Sequence, residues 1–366
     1  MRIVIAKTLG GGFGNEMLPW AKGWIASQVL EAHLVGPSWG RNSYRFYRNF
    51  GTSRLDFVLE KALLRLPHHA FTEHDYRATG EVDFGRAIER WAASRGLGRE
   101  SSFIVSVEGM WGGYSSIRNS RPFLLAKLLN SRDALRNVYK VTSRLEPSKP
   151  FVAVSMRSTQ GGFRVLKPGE SPRGKWNILI PKEWYLWVCE ALRQHFGETI
   201  QFRIFTDRGD ADFDEVVRRF NPGQSHLQGR TECSDLLLMA QADLLVCAIS
   251  SYSLAAAFFS GNPYIWYEPQ LTLTDGLYSL WGYERFQEKE GSLSRRSMEF
   301  VSSLPSRAAG QVTPMSFLGT AMDIGDPLPD SLVQLLEQRL SNHDPRTNLI
   351  EYGCLPAHHQ KGPCLR

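Results

Sequence analysis

The sequence predicts an α/β protein of two domains, each a mostly parallel sheet with helices on its faces. Three observations predict it. The apolar run Ile3-Val4-Ile5-Ala6 leads into a glycine turn and then into apolar residues at helical spacing, the pattern of a strand, a tight turn and a helix. From Phe151 to Tyr267, strand-like alternation and helical periodicity take turns, as in a parallel sheet with crossover helices. Finally, 366 residues with 42% hydrophobic content fill two moderate cores better than one.

The opening turn holds Gly10, Gly11, Gly12 and Gly14, with Asn15 placed to cap the helix that follows. Met17, Trp20, Ala21, Trp24 and Ile25 give that helix its apolar face, and Pro19 falls near its first turn. Such a turn either cradles an anion on free helix N–H groups or merely closes a strand-helix unit. Dinucleotide binding fits poorly, because no register of these glycines gives G-x-G-x-x-G: Asn15 or Met17 stands where the third glycine belongs.

Farther along, an amphipathic run from Phe57 to Leu66 stops at Pro67. Phe103 to Val107 reads as a strand and leads into Glu108-Gly109-Met110-Trp111-Gly112-Gly113-Tyr114. Trp111 and Tyr114 suit either stacking on a sugar ring or burial beneath the turn. A helix from Pro122 to Leu129 closes the first half, and the polar, Pro-rich stretch Leu145 to Pro150 is the linker candidate. The expected division is 1–147, 148–341 and a mobile tail 342–366.

In the second half, the strand Phe151 to Ser155 ends at Met156-Arg157-Ser158-Thr159-Gln160-Gly161-Gly162, a polar glycine turn. Pro181 opens a helix on Trp184, Val188, Leu192 and Phe196, followed by the strand Ile200-Phe202-Ile204. Thr206-Asp207 lies at that strand's carboxyl end, where α/β sheets take ligands, so Asp207 holds a ribose or base edge or caps the next helix. A helix containing Asp235, a strand Leu244 to Ala248 and the turn Ser250-Ser251-Tyr252-Ser253 follow, then a helix to Phe259 and a strand Tyr264 to Tyr267. The three serines are either an anion-binding helix start or ordinary capping. A last helix starts at Asp330.

Net charge is +6 and the pI about 9.1, with the cations scattered, so no nucleic-acid partner is expected. The positive balance suits a phosphorylated substrate and equally peripheral attachment to an anionic membrane surface. No secretory segment is evident at the start, and Cys189, Cys233, Cys247, Cys354 and Cys364 form no disulfide framework, so a cytoplasmic location is expected. No metal site is expected: Cys354, His358, His359 and Cys364 lack C-x-x-C spacing, and Asp210-Ala211-Asp212 sits where a helix begins.

Gly11 to Ala21 resembles the G-G-x-G-N-Q-[LM]-x-x-[YW]-A signature of the alpha-1,2-fucosyltransferases, glycosyltransferase family 11, with Glu16 replacing Gln. The resemblance continues in order through Trp111 to Tyr114, the turn at Arg157, Phe205-Thr206-Asp207, Asp235-Leu236-x-x-Met239 and the serine turn. Arg157 matches the first Arg of the family's H-x-R-R-x-D, while Ser155, Ser158 and Gln160 replace its His, second Arg and Asp. Ile249 replaces the Asn before the serines, and the paired tryptophans are missing.

The resemblance implies a GT-B arrangement, two Rossmann-like domains facing a cleft, with a glycan acceptor on the first and GDP-fucose on the second. It implies inverting, metal-independent transfer without a cofactor. Arg157 would contact the donor diphosphate, with Arg164 or Lys167 as stand-ins for the lost second Arg. Gly12, Gly14, Asn15, Asp207, Asp235, Ser250, Ser251, Ser253, Trp111 and Tyr114 would line the substrates. The base is expected among Glu16, Glu108 and Asp207, Glu16 being preferred. The motif departures keep open another nucleotide sugar or a non-catalytic sugar-nucleotide-binding protein.

Overall fold

The computed structural model describes residues 1–8, 10–39, 46–131, 145–146, 149–207, 211–222, 232–260, 263–274, 277–279, 285–288 and 319–340. The expected tail, with its Cys and His residues, and Asp210 lie outside them. The chain divides into two compact units, Met1–Leu135 and Arg136–Arg366.

The first unit has a four-stranded parallel sheet in the order β2-β1-β4-β3, from β1 (Arg2–Ala6), β2 (His33–Val35), β3 (His69–Phe71) and β4 (Phe103–Val107). β1 and β4 are central, which is why both read as near-continuous apolar runs. Between them in sequence run α1 (Phe13–Val29), α2 (Tyr47–Phe50), α3 (Arg54–Leu63), α4 (Glu73–Thr79) and α5 (Phe84–Ser94), and α6 (Gly113–Ser116) and α7 (Arg121–Leu129) follow. The helix start differs from the expectation. Gly12, not Asn15, caps α1, because the Gly12 carbonyl already accepts the Asn15 and Glu16 N–H groups at 2.9 and 3.2 Å. Pro19 therefore sits in the second turn and gives no N–H to the Asn15 carbonyl. Gly23 is where α1 crosses the sheet: a Cβ there would stand 2.6 Å from the Ala6 Cβ.

The second unit has a five-stranded parallel sheet, β12-β8-β7-β5-β6, from β5 (Phe151–Met156), β6 (Gln201–Thr206), β7 (Leu244–Cys247), β8 (Tyr264–Tyr267) and β12 (Gly319–Met322). Around it lie α8 (Lys182–Phe196), α9 (Ala211–Phe220), α10 (Glu232–Gln241), α11 (Ser251–Phe259) and α12 (Asp330–Leu340). Three short strands, β9 (Thr272–Thr274), β10 (Leu277–Ser279) and β11 (Arg285–Glu288), form a separate antiparallel sheet. The fully buried Trp184 of α8 donates its indole N–H to the Met322 carbonyl at 2.9 Å, tying helix to edge strand. The linker candidate is pinned to this unit: Gln201 accepts the Glu146 N–H at 3.1 Å and donates to the Lys149 carbonyl at 2.6 Å. The α/β class with parallel sheets is what both units have.

The glycines of α1 make a paired stability prediction. Gly23→Ala forces a methyl into the Ala6 contact and is expected to cost about 1–3 kcal/mol in urea unfolding. Gly12→Ala meets no atom within 4 Å at a backbone φ of −65° and should stay within about 1 kcal/mol of the parent.

Candidate functional site

Each parallel sheet reverses its strand order once, and ligands of such sheets bind beyond the carboxyl ends of the strands at that reversal. In the first unit it falls between β1 and β4, and in the second between β5 and β7. The turn bearing Arg157 and the turn bearing Ser250 leave those last two strands.

Arg157 follows β5 directly and is one-fifth exposed. Its Nη1 lies 3.5 Å from Asp207 Oδ2 at the end of β6, and its guanidinium lies 5.1 Å from the Tyr252 ring centroid and 5.9 Å from that of Phe163. The Nε is buried and makes no hydrogen bond among the described residues. Asp207 also accepts the Ser158 N–H on Oδ1 at 3.0 Å. Its carboxylate thus contacts both the turn and the guanidinium. Gly161 is part of this fit, since a Cβ on it would stand 1.6 Å from Asp207 Oδ2. Ser158 turns its hydroxyl inward to accept the Gly161 N–H at 3.1 Å.

The serine turn is built from hydroxyls. Ser250 caps α11, accepting the Ser253 N–H at 3.1 Å, and Ser253 Oγ lies 2.9 Å from Ser155 Oγ. All three side chains are buried, so Ser155 joins β5 to α11. Ser251 is half-buried as the first residue of the helix. Tyr252 donates its phenol to the Glu232 carbonyl. Burial pushes that phenol well above its ordinary value, Asp235 adding to the shift and Arg157 opposing it, so Tyr252 stays a donor. The same cause, burial, raises Tyr185, again against Arg157.

Of the two further cations on this turn, Arg164 is engaged, whereas Lys167 gives only its backbone N–H. Arg164 is clasped by both Glu170 oxygens at 2.7 and 2.6 Å, and the Lys167 backbone N–H joins the same carboxylate. Lys175 also binds Glu170, and these bonds hold its carboxyl far below the usual carboxylate range.

In the first unit, the glycine turn has its own anion. Glu16 is 1% exposed and accepts the Gly11 N–H, folding its carboxylate back over the turn. Gly14 is buried and its carbonyl accepts the Tyr114 hydroxyl at 2.7 Å. Glu108 is paired with Lys7. Trp111 and Tyr114 are both buried, so the open ring faces that sugar stacking needs are not those found. The cause is Lys22, wholly buried, whose Nζ lies 3.3 Å above the Trp111 ring centroid and donates to the Gly109 carbonyl at 2.9 Å. Burial pushes that ammonium well below its ordinary value, with Glu73 pulling the other way.

Sequence reasoning missed Lys22, Gly161 and the Ser155 link. Lys22 had a visible signal, a lone cation between Leu18 and Ala26 on an apolar helix face, and Gly161 stood in a doublet four residues past the Arg. Ser155 had none. Among the described residues no group of three His, Cys, Asp or Glu side chains is placed to hold a metal.

No protein-family model matches the chain, and no curated protein matches it. Among solved structures, POFUT1 in complex with GDP-fucose is similar over 70% of this chain and 92% of its own, at 14% identity and a TM-score of 0.41. NodZ alpha-1,6-fucosyltransferase soaked with GDP-fucose is similar over 71% and 92%, at 16% identity and 0.41. POFUT1 in complex with GDP is similar over 70% and 94%, at 14% identity and 0.42.

Two outcomes test this geometry. Gly161→Ala is expected to cost about 1–3 kcal/mol by displacing the Asp207 carboxylate, and less in an Asp207→Ala background, a coupling read from a double-mutant cycle. For Lys22, the unfolded chain binds the extra proton between the lowered folded pKa and the ordinary value of 10.5, so stability rises with pH across that window. The melting temperature of the parent minus that of Lys22→Met should therefore increase as pH climbs from the lowered folded pKa towards 10.5 and stay flat below that folded pKa.

Proposed function

We propose that the chain is an inverting, metal-independent glycosyltransferase that moves fucose from GDP-fucose to a hydroxyl of a glycan acceptor. The observation that carries this reading is Arg157. It is a cation at a sheet reversal, flanked by two aromatic rings and by the start of α11, with a buried Nε that makes no hydrogen bond among the described residues. A buried donor left without a partner costs about 1–3 kcal/mol, a cost that an arriving anion can offset. This is also the residue that matches the family's diphosphate contact.

In this reading the bond from the anomeric carbon to the GDP oxygen breaks as the acceptor oxygen attacks from the opposite side. Charge grows on the departing diphosphate. Arg157 and the α11 N–H groups meet that charge from fixed positions, which favours the transition state over the ground state. Asp207 holds the guanidinium in place, and its 3.5 Å separation, longer than a good hydrogen bond, leaves the cation able to turn to phosphate. Glu16 is the assigned base for the acceptor hydroxyl. Asp235, Ser250, Ser251 and Ser253 are assigned to the donor side, and Gly12, Gly14 and Asn15 to the acceptor side, where Trp111 and Tyr114 act as buried supports.

The inward turn of Ser158 and the clasp on Arg164 favour one second reading, a protein that binds the sugar nucleotide without turning it over. Release of GDP in a coupled assay separates the two.

Binding is tested first. GDP at a hundredfold excess over Kd stabilises a folded protein by about 2.7 kcal/mol, so it should raise the melting temperature by several degrees with EDTA present. Stabilisation by UDP alone, or only with a divalent metal, would overturn the donor assignment. Arg157→Ala should lower kcat by ~10² to 10³ with the melting temperature nearly unchanged, and Arg157→Lys should recover little, because a lysine lacks the planar fork. A fully active Arg157→Ala protein would remove Arg157 from the mechanism.

A further inference from the structure

Helix α3 leaves one face uncovered. Its inner side is fixed: Leu63 packs with Ile3, Ile5 and Ile104, and the buried Glu60 accepts the Ser38 N–H and hydroxyl at 3.2 and 2.6 Å. The outer side carries Leu55, Val58 and Leu59 at helical spacing, continued by Leu66 just past the helix, and these are 79, 60, 50 and 47% exposed. The spacing makes one contiguous stripe. An exposed apolar row of this kind marks an interaction surface.

The charges beside it choose the partner. Arg54, Lys61 and Arg65 recur at helical spacing along one border of the stripe, all exposed, and none forms an ion pair among the described residues. The two acids of the same helix are not available to balance them. Asp56 is bound back to Ser53 in a capping box, and those bonds hold its carboxyl below its ordinary value, while Glu60 is buried on Ser38. The outer face is therefore leucine-rich and cationic. Pairing with a second copy through this face would set the three cations against their own kind.

We infer that α3 is a docking helix for an anionic lipid surface, with Leu55, Val58, Leu59 and Leu66 entering the headgroup boundary and Arg54, Lys61 and Arg65 pairing with anionic headgroups. An amphipathic helix lying in the interface gains from both terms, and each Lys or Arg near such a surface contributes roughly a fivefold gain in binding. Docking of this kind needs no spanning segment, and no helix of the described residues is long and apolar enough to cross a membrane.

Vesicle flotation of the full chain tests the inference. The parent should float with phosphatidylcholine vesicles containing about a third phosphatidylglycerol, not with pure phosphatidylcholine, and the binding should weaken in high salt. Leu55→Ser, Val58→Ser and Leu59→Ser together should abolish flotation. Arg54→Glu, Lys61→Glu and Arg65→Glu together keep the apolar stripe and should weaken binding at least on the order of a hundredfold. Circular dichroism checks that both variants fold, and the charge variant alone decides the matter if the serine variant does not. Failure to float on either vesicle, equal binding to both, or flotation untouched by the charge variant would overturn the proposal. So would a parent dimer that the serine variant dissolves, which would make the face a self-contact.

Discussion

The reversal of strand order between β5 and β7 is the constraint on which the second unit's site depends. Strands that leave the sheet in opposite directions leave a crevice between their carboxyl ends, and a single hydroxyl pair, Ser253 to Ser155, bridges it at 2.9 Å. That link fixes the start of α11 against the end of β5. Arg157 is two residues beyond Ser155, so its guanidinium reaches the opening of the crevice and lies against the Tyr252 ring of the same helix start. With Asp207 at the end of β6, three successive strand ends take part: one supplies the cation, one the carboxylate that orients it, and one the helix whose N–H groups lie behind it.

In the turn after β5, a serine rather than a second cation stands beside Arg157. A serine at 158 is short enough to fold into its own turn, where it caps Gly161 and lets Asp207 close over the glycine. A second guanidinium at that position would compete for the same carboxylate. The turn has become a support for Arg157, and Glu170 draws Arg164 and Lys175 away from it.

Much of this was legible in the sequence, for identifiable reasons. β4, β5 and β7 are central strands and read as near-continuous apolar runs; Trp184, Val188, Leu192 and Phe196 gave the face of α8, and all four are buried. Arg157, Asp207 and Ser250 were legible because turns after strand ends are where such folds do chemistry. What was not legible depends on contacts between residues far apart in the chain. Ser155 could not be known to meet Ser253, nor Lys22 to lie under Trp111, and those two contacts decide whether a hydroxyl or a ring faces a ligand. The α1 cap was missed for a local reason: Asn15 is a better capping residue than Gly12, but the helix starts one turn earlier, with Gly12 in extended backbone before it.

The glycine turn of the first unit shows how poorly glycine content alone marks an anion site. The Gly11 N–H is met by the Glu16 carboxylate, which is almost wholly buried. A phosphate arriving there would face a like charge shielded from water, where repulsion is strong. The other charges of this unit's reversal are likewise met from within, Lys7 by Glu108 and Lys22 by the Gly109 carbonyl and the Trp111 face. Among the described residues of this turn, the charges are met from within the unit. In the second unit the balance is the opposite, because Asp207 only partly meets Arg157. Where charge is left unmet is therefore a property of side chains outside the glycine motif.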